Sequence, residues 1–298
     1  MSAVDQTQFE IPPFHPASAI FAQPRFAEAR MAWVRAMLQL YDDDPFLSRF
    51  LNDLGRALVF FNILCLYAGY EEQDRATWPT MRLLNQTLAK FGLASARRVD
   101  EIVARFKDTG YVEAHAARLD RRARILTPTA KMLVHDHRWL AAYYTPLDIV
   151  FPDPGYAQAM RHDPAFQKAQ RKAARHLSGY AAKLMGDNPT VMHFMAREAG
   201  MMVLIKLVEL DQTHDGRGLA RFSFADLARS FGISRTHVRT MLQEAEGMGL
   251  VKLSKGRAGV EALAPSLIEA FDRFVADCMS GNDLIFRMAM AGFDGRAT

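Results

Sequence analysis

Apolar positions recur three or four residues apart over long stretches of the chain, and the stretches come in the same order twice. Phe26, Ala29, Trp33, Met37 and Leu40 mark an amphipathic helix over Phe26–Leu40. Asp42-Asp43-Asp44-Pro45 closes it and opens a long helix, Phe46–Tyr70, which is apolar nearly all round after Gly55 and is therefore expected to be buried. A polar loop, Glu71–Asp74, precedes a compact module over Thr77–Thr129, and a further helix is expected over Ala130–Tyr144. The plan then repeats. Phe166–Leu184 reads as a helix, and Asn188-Pro189 opens a long apolar one through Gly200 to Leu210. After a loop over Thr213–Gly218, a second module follows over Arg221–Pro265, then a helix over Ser266–Met279 and a short one over Leu284–Met290. Two proline-rich stretches, residues 1–24 (Pro12, Pro13, Pro16, Pro24) and Pro146–Pro164, read as loops. The expected organisation is an N-terminal loop segment 1–24 and two halves, 25–145 and 146–298.

The two modules share a finer pattern. The first carries Leu88-Ala89, Ser95, Val99, Gly110 and Val112, and the second Leu227-Ala228, Ser234, Val238, Gly249 and Val251. Each reads as a short helix, a tight turn, a Ser-capped second helix, a terminating Gly and a strand, the order of a winged helix-turn-helix. In the second copy Phe222-Ser223 is a short strand, Phe224–Ser230 a helix and Phe231-Gly232-Ile233 the turn. Val238, Met241, Leu242 and Ala245 face inward. Thr236, Thr240 and Gln243, flanked by Arg235, His237 and Arg239, face out as candidates for phosphate contact and major-groove reading. Leu250–Leu253 and Val260–Leu263 flank a glycine-rich basic tip with Lys255 and Arg257. In the first copy Val99, Ile102, Val103 and Phe106 face inward. Arg97, Glu101 and Ala104 face out, flanked by Arg98, Asp100 and Arg105. Tyr111–Ala114 is the strand, and the wing runs Arg118-Leu119-Asp120-Arg121-Arg122-Ala123-Arg124 into Ile125-Leu126-Thr127-Pro128.

That wing resembles the wing of MarR-type transcription regulators over about residues 80–140. The resemblance implies that Asp120 and Arg122 brace the hairpin and that Arg121 or Arg124 meets DNA. Arg118 and Leu119 depart from the family's upstream Asp–Arg pair, and the second copy keeps only Ala264-Pro265-Ser266. It further implies two such protomers fused in tandem. The helices Phe26–Leu40, Ala130–Tyr144, Phe166–Leu184 and Ser266–Met279 would form a pseudo-twofold interface. The expected fold is thus mainly α, with two winged helix-turn-helix domains and small β-wings arranged as an intramolecular pseudo-dimer. Relatives of that type often bind aromatic ligands near the helix junction.

Charge sharpens the picture. Residues 75–138 hold 13 Lys+Arg and 6 Asp+Glu, a net +7, and residues 217–260 hold 8 and 3, a net +5, while the other 190 residues carry −8 of the overall +4. Basic clusters on particular modules fit double-stranded DNA as partner better than general solubility does. The chain lacks the ~20 uninterrupted apolar residues of a membrane helix and has no signal pattern at its start, so a cytoplasmic protein with no membrane partner is expected. Cys65 and Cys278 are too few for a disulfide framework, and Cys65 reads as a buried apolar residue rather than a redox sensor. No zinc spacing, phosphate loop or nucleophile–base pair is present, so no metal, cofactor or enzymatic activity is expected. His135-Asp136-His137 reads as a surface cluster, and His214 and Asp215 as loop residues. The 16 Met and 20 Phe, many on the long helices, fit either core packing or a pocket for a small apolar effector. The expected function is sequence-specific DNA binding in transcription regulation. A replication initiator joining two winged helices, or a winged-helix scaffold that does not bind DNA, fits the same pattern.

Overall fold

The computed structural model describes residues 11–89, 95–212, 218–254 and 259–294, and it is mainly helical with two two-stranded antiparallel sheets. The first half holds α1 (Ala17–Phe21), α2 (Phe26–Asp43), α3 (Pro45–Leu51), α4 (Leu54–Ala68), α5 (Met81–Ala89), α6 (Ala96–Asp108), β1 (Val112–Ala116), β2 (Arg124–Pro128) and α7 (Ala130–Val150). The second holds α8 (Ala157–Met160), α9 (Pro164–Ala174), α10 (Ser178–Asp187), α11 (Pro189–Met195), α12 (Gly200–Asp211), α13 (Gly218–Arg221), α14 (Phe224–Phe231), α15 (Arg235–Gly247), β3 (Val251–Leu253), β4 (Val260–Leu263) and α16 (Pro265–Asp294).

Several helices differ from their sequence expectation, each for a local reason. The helix expected over Phe46–Tyr70 is two, because the Asp53 carboxylate accepts from the Arg56 amide at 2.9 Å and starts α4 afresh. No residue of α4 is exposed, as its apolar circumference requires. The apolar run after Asn188-Pro189 also breaks, at Ala199, which sits in the left-handed region (φ +56°) and donates its amide to the Asn52 carbonyl of the first half at 3.1 Å. The helix expected over Phe166–Leu184 breaks at a 3₁₀ turn, Arg175–Leu177. Pro16 does not prevent α1; its fixed φ of −68° places it at the N-cap. The helix expected to stop at Tyr144 runs to Val150 through Pro146, so the division expected at residue 146 falls inside α7. Leu147 and Val150 are buried there. The two C-terminal helices are a single one, α16. Its Ser280-Gly281-Asn282-Asp283 stretch reads as a loop by composition, but Asp283 is fully buried. Its carboxylate accepts from the His15 amide (2.6 Å), the Tyr156 hydroxyl (2.8 Å) and Arg287 Nε (3.0 Å).

The terminal helices form a central bundle in which contacts between the halves are reciprocal. α2 packs on α7 and α9 on α16 within the halves, while α2 packs on α12 and α4 on α9 across them. Likewise α1 lies on α16, α8 on α7, and α7 meets α16. Two ion pairs follow the same rule, one buried and one partly buried. Arg30 of α2 reaches Asp272 of α16 at 2.9 Å, and Arg171 of α9 reaches Asp136 of α7, with Nε 3.0 Å from Oδ2. Asp136 is fully buried and also accepts from Gln167 Nε2 at 2.8 Å. The second half's α14, α15 and hairpin share one core with the bundle, whereas α5, α6 and the first hairpin build a separate core with α3 and α4.

Burial pushes the Cys65 thiol up to about 11 and the Cys278 thiol further, so neither is a thiolate near neutrality. At pH 8 a thiol-specific reagent is expected to label neither cysteine on the timescale of a free thiol, and both once the chain is unfolded; fast labelling of native Cys65, which is half-buried, would contradict its raised pKa. Asp136→Ala leaves Arg171 buried and unpaired and is expected to cost about 3–5 kcal/mol of unfolding free energy in urea. Asp136→Leu combined with Arg171→Met should recover most of that loss. A single-variant loss below about 1 kcal/mol would show a solvated, weak pair.

Candidate nucleic-acid interface

The second helix–helix–hairpin unit is set by local signals. Ser223 caps α14 in a reciprocal capping box with Asp226, and where a short strand was expected at Phe222-Ser223 it makes only an isolated bridge to Gly259. Gly232 then turns the chain at φ +67°, with Arg49 so close that a Cβ there would lie 2.9 Å from its Nε. Ser234 accepts from the His237 amide at 3.0 Å and starts α15. Val238, Met241, Leu242 and Ala245 are buried. Arg235, Thr236, Arg239, Thr240 and Gln243 are exposed on the other side. The first turn of α15 carries no acidic residue, and no ion pair among the described residues engages Arg235 or Arg239. His237 is half-buried, with Nε2 3.0 Å from the Glu198 carbonyl, so its ring is tied to the fold rather than grouped with the free cations. Gly249 (φ +71°) leads into β3–β4, where Lys252 pairs across strands with Glu261 at 2.5 Å. Lys255 and Arg257 lie outside the described residues, as do His214, Asp215 and the turn before Ser95.

The first unit has the same framework and a different surface. Ser95 accepts from the Arg98 amide at 3.3 Å, and Val99, Ile102, Val103 and Phe106 are buried. Arg97, its side chain 90% exposed, is paired to Glu101 at 3.0 Å, and Arg98 lies 4.0 Å from the same carboxylate. The i,i+4 spacing of Arg97 and Glu101 made that pair readable in the sequence, and it leaves the outward face of α6 nearly neutral. Arg105 is exposed and stacks its guanidinium 5.7 Å from the Phe46 ring centre.

The hairpin is where this unit keeps free cations. β1 and β2 pair from Val112↔Pro128 to Ala116↔Arg124. At the tip Asp120 accepts from the Arg122 backbone amide at 3.1 Å, and its ion-pair partner is Arg75, at 3.7 Å. The bracing pair expected between Asp120 and the Arg122 side chain is therefore replaced by a turn contact plus Arg75, which also stacks on Trp78 at 5.4 Å. Arg118 is drawn to Glu72 at 3.5 Å. Arg121, Arg122 and Arg124 are exposed, and no ion pair among the described residues engages their side chains. Glu72 and Arg75 precede the wing by more than forty positions in the chain. No local pattern links them to it; only the folded hairpin does.

His135-Asp136-His137 is not the surface cluster its composition suggests. His135 and Asp136 are buried, Asp136 against Arg171, and His137 meets Gln167. Among the described residues no group of three His, Cys, Asp or Glu side chains is placed to hold a metal ion. No described helix is long and apolar enough to cross a membrane. The arrangement offers two basic surfaces of different build: a helix N-terminus with unpaired arginines beside short hydroxyl and amide groups, and a braced hairpin tip with three arginines free of acidic partners. No family model, no curated protein and no solved structure matches the chain.

Proposed function

We propose that this chain binds double-stranded DNA as a single-chain pseudo-dimer of two winged helix-turn-helix units and acts as a sequence-specific transcription regulator. The observation that carries this reading is α15: a Ser-capped helix whose N-terminal half exposes Arg235, Thr236, Arg239 and Thr240 with no carboxylate among them, and Gln243 one turn further on. A helix N-terminus favours phosphate, and Arg with short polar side chains matches base edges in the major groove. The reciprocal packing of α2 on α12 and α4 on α9 supports the pseudo-dimer. Two units held that way suit successive major grooves about one turn, ~34 Å, apart.

The two units divide the work in this reading. α15 reads bases, because its cations are unpaired. The first unit grips the backbone through Arg121, Arg122 and Arg124, because Glu101 holds the arginines of α6. Mobility shift against genomic fragments, with sequencing of those retained, tests the proposal: recovery of a shared motif upstream of genes supports it, recovery only of clustered origin repeats replaces regulation with replication initiation, and no retention at 50 mM salt removes DNA binding. Arg239→Ala is expected to weaken the selected site by about 1–3 kcal/mol while leaving random DNA within twofold; equal losses on both would remove Arg239 as a reader. Arg121→Ala and Arg122→Ala should weaken all sequences alike and reduce the salt slope by about one each. Glu101→Gln frees Arg97 and Arg98 and should raise affinity for random DNA with a steeper salt slope. An unchanged slope would show that α6 does not approach phosphate.

A further inference from the structure

Arg49 belongs to the first half of the chain, yet its side chain lies on the second unit. It stands in the last turn of α3, and its neighbours fix that helix in place. Leu47 and Ser48 are buried, the Ser48 hydroxyl donates to the Leu40 carbonyl at 3.2 Å, and the Asp44 carboxylate accepts from the Leu47 amide at 3.1 Å. Arg49 itself is exposed. Its guanidinium crosses the seam to Gly232, the residue of positive φ between α14 and α15. A Cβ on Gly232 would lie 2.9 Å from Nε and 3.2 Å from Cζ. The residue before it, Phe231, meets the Tyr41 ring of the first half edge-on at 5.3 Å. The first half thus holds this turn twice, with a buried ring on its inner side and a guanidinium on its outer side.

A guanidinium that only braced the turn would find its hydrogen bonds within the fold. No hydrogen bond or ion pair among the described residues engages Arg49. The carboxylates of the adjoining segments, Glu198 and Asp226, are paired with Arg56 at 3.5 Å and with Arg229 at 3.0 Å. Gly232 is exposed, as are Ser234, Arg235 and Thr236. Two residues of chain span at most about 7 Å, so Arg49 stands within a side chain's length of the α15 N-cap. Its charge adds to that of Arg235 and to the free amides of the first turn, which favour an anion. The arrangement is one-sided. Counting from Asp44-Pro45 and Asn188-Pro189, which open α3 and α11, the counterpart of Arg49 is His193, whose Nε2 is buried. The second half offers no arginine at the equivalent place.

We propose that Arg49 contacts a backbone phosphate of the DNA engaged by α15, so that the first half completes the site of the second unit. The assignment rests on the proposed DNA binding. A phosphate contact positions a protein on the duplex without reading its sequence. Arg49 therefore sets where α15 enters the groove, and Arg239 and Thr240 read within it. Because α3 is anchored to the bundle, DNA seated on Arg49 is placed in register with the bundle as well as with the reader helix.

Binding of the full chain to its selected site and to random DNA, followed from 50 to 200 mM salt, tests the contact. Arg49→Ala is expected to weaken both DNAs alike, by about threefold to tenfold at 50 mM salt, and to reduce the salt slope by about one. Arg49→Lys should restore the slope, because the ammonium supplies the same charge to phosphate. Arg49→Gln, which keeps a long polar side chain over Gly232 without the charge, should not. In ethylation interference on the selected site, one phosphate beside α15 should matter to the native chain and cease to matter to Arg49→Ala, with the rest of the pattern kept. A native chain that binds DNA, with slope and interference unchanged in Arg49→Ala, would overturn the contact and leave the proposed function standing. Lost affinity at an unchanged slope would make Arg49 a brace of the turn and overturn the contact equally. A native chain that retains no DNA would remove the contact together with the DNA-binding reading.

Discussion

Arg171 and Asp136 cannot be separated without leaving an uncompensated charge in a water-excluded interior, and the two residues belong to different halves of the chain. Arg30 and the partly buried Asp272 likewise join the two halves. Apolar helices packed through Leu, Phe and Met alone would tolerate small slides of one half against the other, because dispersion and burial are non-directional. An ion pair with one partner per half does not, since a slide of a few ångströms loses the Coulombic and hydrogen-bond gain while the desolvation cost remains. Arg171 is further confined by the Phe61 ring, 5.1 Å from its guanidinium carbon, and Asp136 by Gln167. The bundle thus fixes the relation between the two helix–helix–hairpin units, and any joint action of their basic surfaces depends on that relation.

The frame is reciprocal but the units are mounted differently. α14, α15 and their hairpin continue the core of the bundle through Phe224, Leu227, Phe231 and Met241, so their position is tied to α2 and α12. The first unit closes on its own core through Phe60, Val99, Phe106 and Leu126. A reader of base edges needs to be held within a fraction of an ångström, whereas a backbone clamp tolerates more freedom, because phosphate attraction is long-ranged and sequence-independent. The mounting agrees with the division of work proposed from the charges alone.

Much of the two units was legible in the chain because their signals are local. Ser95 and Ser234 cap the helices, Gly110, Gly232 and Gly249 take positive φ, and the inward faces of α6 and α15 follow helical spacing. What misled were residues whose partner is distant. Ser280-Gly281-Asn282-Asp283 has the composition of a loop, yet Asp283 is satisfied by His15 and Tyr156, and Gly281 admits the Tyr180 ring, 2.6 Å from where a Cβ would stand. Asp136 looked like a surface carboxylate until Arg171 supplied its charge partner. Arg75, the true ion partner of Asp120, carried no sequence signal at all. Helix breaks at Asp53 and Ala199 were hidden inside long stretches that read as single helices.

The pattern of divergence between the halves follows from the same constraint. Positions at the seam must remain complementary to the opposite half, so Arg30 answers Asp272 as Arg171 answers Asp136, and the Asn52 carbonyl meets the Ala199 amide. Positions facing outward carry no such obligation. There Asp100 and Glu101 stand on α6, whereas α15 carries Arg239 and Thr240. Two identical chains cannot diverge in this way, because every change is copied to both subunits. In a single chain the change falls on one half only, and the seam that holds the halves together does not register it. On the proposed reading, selection for a DNA site whose two ends differ acts on the outward residues without cost to the interface, and an asymmetric target is what such a chain can recognise and a homodimer cannot.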